Sequence, residues 1–237
     1  MFVMGKRNDP VGLGIESPEM STPLTPEPAA SAPGESVTAD YARYLAARGS
    51  PLWKRILGVQ WPYRWNLRSL DPGYVLDVGC GVGRNLHHLD GQGVGVDPNV
   101  ACVRMASAAG LKAFTEEEFP SSRYARVGGF DCLLISHVLE HLPAAQGVEM
   151  VRRYLPYVRR GGQLILITPQ HAGFRADPTH LTYLDLNHLR AVVESSGLKV
   201  TRAYSFPFPL WAGRWFPYNE FVITAEVVCS AESMVDK

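Results

Sequence analysis

Val75-Leu76-Asp77-Val78-Gly79-Cys80-Gly81-Val82-Gly83-Arg84-Asn85 is a short apolar run that ends in three glycines at alternate positions. An apolar run stopped by glycine reads as a buried strand turning into a helix. Glycine has no Cβ, so the backbone can turn tightly and a ligand can lie against it. The helix that opens after Gly83 adds N–H groups with no partner inside the helix. Asp97 closes the next apolar run, 18 residues after Gly79. An acid there can accept hydrogen bonds from both ribose hydroxyls of a nucleoside. The segment therefore predicts a nucleoside crevice at the carboxyl ends of the first strands.

Outward from this turn, short apolar runs alternate with helical stretches. Strands are expected at Tyr74–Val78, Gly93–Val96, Leu111–Phe114, Phe130–Ser136 and Gln163–Thr168. Helices are expected at about 84–90, 99–109, 145–158 and 185–196, the last ended by Gly197. Strands separated by helices of this length mean βαβ units and a mostly parallel sheet covered on both faces. Two later β-rich stretches follow, at about 198–205 and 220–228.

The first 38 residues differ from the rest, holding six of the 18 prolines among Ser, Thr, Ala and Glu. Such a segment cannot bury enough apolar surface to offset its ordering entropy, so 1–38 is expected to be a disordered tail. An N-terminal helical cap is expected over 39–72. There Tyr41, Tyr44 and Leu45 share one helical face, and Trp53, Ile56 and Leu57 share another. The principal domain is expected over 73–230.

Of the 237 residues, 46% are hydrophobic and 19% charged, an ordinary globular mix with a real core. Lys and Arg number 23, as do Asp and Glu. A neutral balance argues against a nucleic-acid partner, since phosphate binding needs a basic surplus. No run approaches the roughly 18 apolar residues of a membrane span. The opening Met1–Gly14 lacks a signal-peptide apolar core. Cys80, Cys102, Cys132 and Cys229 form no CxxC pair. Reduced, partly buried thiols in a cytoplasmic protein are the expectation.

The nature of the nucleoside follows from spacing. In the dinucleotide fingerprint GxGxxG the third glycine would fall at Arg84. The actual pattern is GxGxG with Asp77 two residues ahead. That closely resembles motif I, (D/E)xGxGxG, of the class I S-adenosylmethionine-dependent methyltransferases. The resemblance extends from about Trp53 to Val228. Gly95-Val96-Asp97 is similar to that family's acidic end of strand 2, Phe130–Ser136 to its fourth strand, and Arg160-Gly161-Gly162-Gln163-Leu164-Ile165-Leu166 to the turn into its fifth. Val138-Leu139-Glu140-His141-Leu142 resembles the VLEHL mark of a small-molecule subgroup.

The resemblance implies a Rossmann-like α/β fold: a seven-stranded, mostly parallel sheet with helices on both faces and the last strand antiparallel. It implies S-adenosyl-L-methionine as cofactor, held by Asp77, Gly79, Gly81, Gly83, Asp97 and Ser136. The family often places an acid near the adenine at the end of strand 3, where this chain has Thr115. Glu116 can take the role with a one-residue shift; a solvated acidic turn is the alternative.

His137-Val138-Leu139-Glu140-His141 also matches HxxEH, a zinc-peptidase pattern. On one helix, two imidazoles four apart can bind a metal while the Glu activates water. Here the pattern follows a buried run directly and meets Pro143, so it has no long helix, and no metal is expected. In the methyltransferase reading, Ser136 and His137 lie at the tip of strand 4. His137 is then a candidate base or substrate contact, while Glu140 and His141 fix the turn. His180 and Tyr183, in a polar loop after strand 5, are candidates for base and substrate contact; a loop ordered by Asp and Thr caps is the alternative. Tyr63 and Trp211 belong to aromatic flanks that can cap the methyl donor or serve packing and a homodimer interface.

The expected reaction is methyl transfer to a small-molecule acceptor, at a hydroxyl oxygen. The (N/D)PP(Y/F) sequence of nucleic-acid amino methylation is replaced by Ser136-His137-Val138-Leu139. The competing readings are a non-catalytic S-adenosylmethionine-binding module and a nicotinamide-dependent oxidoreductase.

Overall fold

A computed structural model describes residues 60–228. The expected tail at 1–38, the cap residues 39–59 and Cys229 lie outside the described residues. Within the described part of the expected cap, α1 (Trp61–Ser69) is a helix with proline in its first turn, where a missing N–H costs nothing.

The central sheet has seven strands in the order β3-β2-β1-β4-β5-β7-β6. These are β1 (Val75–Val78), β2 (Gly93–Val96), β3 (Ala113–Phe114), β4 (Phe130–Ser136), β5 (Val158–Pro169), β6 (Lys199–Phe206) and β7 (Glu220–Glu226). The first five pair in parallel. β7 runs antiparallel to both β5 and β6, between them. The helices after α1 are α2 (Arg84–His88), α3 (Val100–Ala108), α4 (Ala144–Tyr154), α5 (His171–Arg175) and α6 (Leu186–Ser195).

β1 and β2 are buried at every position, as strands covered on both faces must be. β4 shows how the two faces are served. Leu133 and Ile135 enter one core cluster with Leu76, Phe130 and Leu189, while Cys132 and Leu134 enter the other with Leu67, Ile165 and Val222. This is the two-residue period of a strand read out as two hydrophobic layers.

Several boundaries differ from the expectation for identifiable reasons. β5 begins five residues earlier than expected, because Val158 pairs with Phe130 before a register shift around the Gly161-Gly162 turn. β3 shrinks to two residues. The helix expected at 145–158 ends as α-helix at Tyr154 and continues as a 3₁₀ turn over Leu155–Tyr157, since Pro156 cannot donate an α-helical bond. Asn99 caps α3 by accepting from the Ala101 and Cys102 N–H groups. α6 stops as Gly197 implies: the Leu198 N–H reaches Val193 O at 3.2 Å and the Gly197 N–H reaches Glu194 O at 3.0 Å. Among the described residues, no helix is long and apolar enough to cross a membrane.

Candidate functional site

The glycine turn is built from left-handed backbone. Gly79, Gly81 and Gly83 have φ of +74°, +54° and +84°. The Gly79 and Cys80 N–H groups both donate to Val96 O, at 2.8 and 3.1 Å, folding the turn over the end of β2. A Cβ on Gly79 would collide with Val138, and one on Gly83 with Leu111. Side chains are excluded there by both torsion and space.

Asp97 locks the turn to β2. Its Oδ2 accepts from the Gly81 N–H at 2.7 Å and its Oδ1 from the Asn99 N–H at 2.9 Å. Burial pushes its carboxyl upward, the two N–H donors pull it back, and Glu116 nearby adds to the upward push. Asp77 is wholly buried on β1. Its Oδ1 lies 3.4 Å from Asn85 Nδ2, and its Oδ2 has no hydrogen-bond partner among the described residues. Burial drives this carboxyl up to about 7, against the opposing pull of Asn85 and Arg84. A buried carboxylate oxygen without a donor is costly and suits a cationic or N–H-bearing ligand group.

Thr115 and Glu118 resolve the end of β3. The Thr115 N–H donates to Glu118 Oε2 at 2.9 Å, and the Glu118 N–H donates to Thr115 Oγ1 at 3.2 Å, a reciprocal cap on the turn that leads into the 3₁₀ turn Phe119–Ser121. Glu116 stays outside this cap and pairs with Arg153 at 3.2 Å.

Ser136 is the buried last residue of β4. His137 follows it with φ of +58°. Its Nδ1 lies 3.2 Å from Glu140 Oε1 and its Nε2 lies 2.8 Å from Glu220 Oε1. Carboxylates on both ring nitrogens hold an imidazolium. Burial alone would lower the His137 pKa, but the hydrogen bonds to Glu140 and Glu220 lift it to about 9. The HxxEH segment is not helical: it spans the strand end and the 3₁₀ turn Leu139–His141. His137 and His141 therefore do not share a helix face.

Tyr63 on α1 donates from its hydroxyl to Tyr218 O at 2.7 Å and packs edge-on against Phe206. Burial pushes its phenol pKa up; Glu220 adds to that and Arg84 opposes it. The same Glu220 is therefore felt by Tyr63 and bonded to His137, and Arg84 of the glycine turn acts on Tyr63. Tyr183 packs edge-on against Phe174 at 5.3 Å, near His171 and Phe221. Trp211 stands out from the 3₁₀ turn Leu210–Arg214 and is 66% exposed. His180 Nδ1 donates to Phe174 O at 2.8 Å, and its ring stacks on Phe174.

The sequence reading missed Glu220. It also missed the buried amide pair Gln170 and Asn219, which tie the end of β5 to Ser205, Phe208 and Glu220 through hydrogen bonds of 2.6–3.1 Å. No local signal marks these residues, because their partners are distant in sequence: His137 follows β4, Ser205 lies in β6, and Phe208 lies between β6 and β7. A depression of about 510 Å³ opens at the opposite, amino end of the parallel strands, lined by Asp71, Asp131, Arg159 and Glu226 among others. None of the expected site residues borders it.

Comparison with known proteins places this geometry. Residues 63–203 match a family model described as a methyltransferase domain. No curated protein matches the chain. Among solved structures, an S-adenosylmethionine-dependent methyltransferase from Archaeoglobus fulgidus is similar, with 19% identity, 69% of this chain and 92% of that one covered, and a TM-score of 0.56. Magnesium protoporphyrin IX methyltransferase from Synechocystis PCC 6803 is similar at 17% identity, with 84% and 99% covered and a TM-score of 0.51. So is a complex of the Haloferax volcanii Trm112 methyltransferase activator with a methyltransferase, at 14% identity, 74% and 94% covered, and a TM-score of 0.53. These likenesses are of fold: the class I methyltransferase sheet with its antiparallel penultimate position. Matched over more than half of its length, the chain belongs to the methyltransferase domain family.

Proposed function

We propose that the protein transfers a methyl group from S-adenosyl-L-methionine to a hydroxyl oxygen of a small-molecule acceptor, as a cytoplasmic enzyme. The observation that carries this reading is the pairing of the left-handed glycine turn with Asp97, whose carboxylate already accepts from Gly81. In this reading Gly79, Gly81 and Gly83 give the donor room, Asp97 takes the ribose hydroxyls, Glu116 faces the adenine, and Ser136 lines the floor. The unpartnered Oδ2 of Asp77 takes the donor's ammonium end. Magnesium protoporphyrin IX methyltransferase, a neighbour in fold, was solved with S-adenosylmethionine bound.

The chemistry is in-line displacement at a sulfonium methyl. The leaving group is already activated, so proximity and alignment supply most of the acceleration. A base is needed only if the acceptor loses a proton during transfer. Of the two candidate histidines, His137 has both ring nitrogens engaged by carboxylates, which suits holding the strand tip in place. His180, with Nδ1 donating to Phe174 O, keeps Nε2 as a lone-pair nitrogen and is the better base. Tyr63, Tyr183 and Trp211 flank the acceptor side. The exposed Phe208, Trp211, Trp215 and Tyr218 support a homodimer contact in the same region.

The test is calorimetric titration with S-adenosylmethionine, S-adenosylhomocysteine and NADH, on wild type and Asp97→Ala. Micromolar-range binding of the first two is expected, with a loss of about 1–3 kcal/mol in the variant. Binding of NADH alone would replace the reading with a nicotinamide-dependent one. An acceptor screen with methyl-labelled donor then tests the transfer itself.

A further inference from the structure

We propose that Glu140, His141 and His180 form a binding site for a divalent transition-metal cation, of the class represented by Zn²⁺. One ligand atom from each residue lies within 4.8 Å of the others. Ligands at about 2.1 Å from such an ion stand about 3.0–3.5 Å apart, so binding draws the three groups inward by about 1 Å. Both imidazoles are partly exposed.

Three further observations point to a ligand. First, Glu140 is wholly buried; its Oε1 accepts from His137 and its Oε2 has no partner among the described residues. A buried carboxylate oxygen left bare is unfavourable, and a cation removes the deficit. Second, both imidazoles have their outer nitrogen fixed by a backbone carbonyl. His141 Nδ1 lies 3.3 Å from both Thr179 O and Thr179 Oγ1, whose own proton goes to Asp177 Oδ1, and His180 Nδ1 lies 2.8 Å from Phe174 O. A carbonyl only accepts, so Nδ1 carries a proton in each ring, and in the neutral tautomer Nε2 carries the lone pair. A histidine that donates one N–H to a carbonyl and offers the other nitrogen is arranged as metal-ligating histidines are. Third, the segments bearing the ligands are tied together. Glu140 O accepts from the Leu181 and Thr182 N–H groups at 2.7 and 3.0 Å, and the two rings meet at 4.8 Å.

Two imidazoles and one carboxylate favour Zn²⁺, Mn²⁺, Fe²⁺ or Co²⁺ over Mg²⁺ and Ca²⁺, which prefer oxygen. This set differs from the HxxEH pairing: His137 is spent on two carboxylates, and the second imidazole comes from His180. Three protein ligands leave positions open to water or to an oxygen of a small molecule. The site stands beyond the carboxyl ends of β4 and β5, where open α/β sheets bind ligands. With the ion bound, His180 Nε2 is a ligand rather than a base, and a hydroxyl acceptor held there would instead be acidified by the ion. That consequence rests on the methyl-transfer reading; the metal site does not.

The experiment uses the full chain, stripped with chelator and free of S-adenosylmethionine, titrated with Zn²⁺ by calorimetry and with Co²⁺ by visible absorption. One equivalent should bind, and Co²⁺ should give the d–d bands of a nitrogen–oxygen site. His141→Ala and His180→Ala should each weaken Zn²⁺ binding at least tenfold, while His188→Ala, an exposed histidine bonded to Asp185, should leave it unchanged. Glu140→Gln should behave as the histidine variants do; because Glu140 is buried, the two histidine variants decide the matter if it fails to fold. Absence of stoichiometric binding, or equal affinity in wild type and both histidine variants, overturns the site. S-adenosylmethionine titration of the metal-free protein reports separately on the methyl-transfer reading.

Discussion

Glu220 Oε1 lies 2.8 Å from His137 Nε2, although 83 residues separate the two. The contact follows from topology. β7 runs antiparallel, so its first residue pairs with Pro169, the last residue of β5, and reaches the edge where the parallel strands end. A parallel strand in the same place would have brought its last residue there. The antiparallel insertion thus supplies an acid to the tip of β4, where His137 sits between two carboxylates.

Removing one of those carboxylates should be felt in stability. Glu220→Gln keeps the shape and a hydrogen-bond acceptor but loses the charge, and should cost about 1.5–3 kcal/mol in urea denaturation. His137→Leu leaves Glu140 and Glu220 facing each other without a donor, and should cost about 3–5 kcal/mol. Equal stability of all three proteins would mean that the bridge carries nothing.

Asp77 gives a pH dependence of defined sign. Its folded pKa, raised to about 7 by burial, exceeds the ordinary carboxyl value of 3.8. Below about pH 4 the group is protonated in both states, and its contribution to stability is complete. Between pH 4 and 7 the unfolded chain sheds the proton and the folded chain keeps it, so stability falls as pH rises, by about 1.4 kcal/mol per unit at most. Asp77→Asn should flatten this slope and raise the Tm of the ligand-free protein at pH 8. The difference between the two Tm profiles isolates the group. A ligand that presents an ammonium to Oδ2 favours the ionised form, so S-adenosylmethionine should bind wild type more tightly as pH rises through about 7.

The sheet was legible because its signals are local. Apolar runs at Gly93–Val96 and Phe130–Ser136, helix caps, and Gly197 each act within a few residues, and both strands have the bounds read from sequence. Asp97 was legible for the same reason: its distance from Gly79 is fixed by one βαβ unit. The surroundings of His137 were not. Glu140 is near in sequence, but Glu220 arrives through the order of strands at the far edge of the sheet. The pairing of His141 with His180 depends on a loop folding back onto Glu140 O, which no periodicity records. The short helix α5, over the five residues His171–Arg175, carries no pattern that the sequence reading picked out.

Gly79→Ala should test whether the turn is required by torsion, space or both. The φ of +74° alone costs a side-chain residue about 1–2 kcal/mol. The added Cβ also meets Val138 Cγ2. Val138→Ala in the same chain should recover the part due to the clash and leave the part due to torsion. Thermal denaturation of the two single variants and the double variant separates the terms, since contacting sites are not additive. Full recovery in the double variant would show that the left-handed backbone carries no penalty.

Glu116 and Glu118 stand two residues apart and should respond in opposite ways. Glu118 closes a reciprocal cap with Thr115, so Glu118→Ala should cost about 0.5–2 kcal/mol of stability. Glu116 pairs with the exposed Arg153, an interaction of the kind worth about 0–1 kcal/mol, so Glu116→Ala should barely move the Tm. Its carboxylate acts on Asp97, however, and in the proposed function it faces the adenine. Glu116→Ala should therefore weaken S-adenosylmethionine binding several-fold at unchanged stability, while Glu118→Ala lowers Tm with affinity preserved once the protein is folded. Two calorimetric titrations and two melting curves decide it. The reverse pattern would move the adenine contact to Glu118 and leave Glu116 as a solvated turn residue.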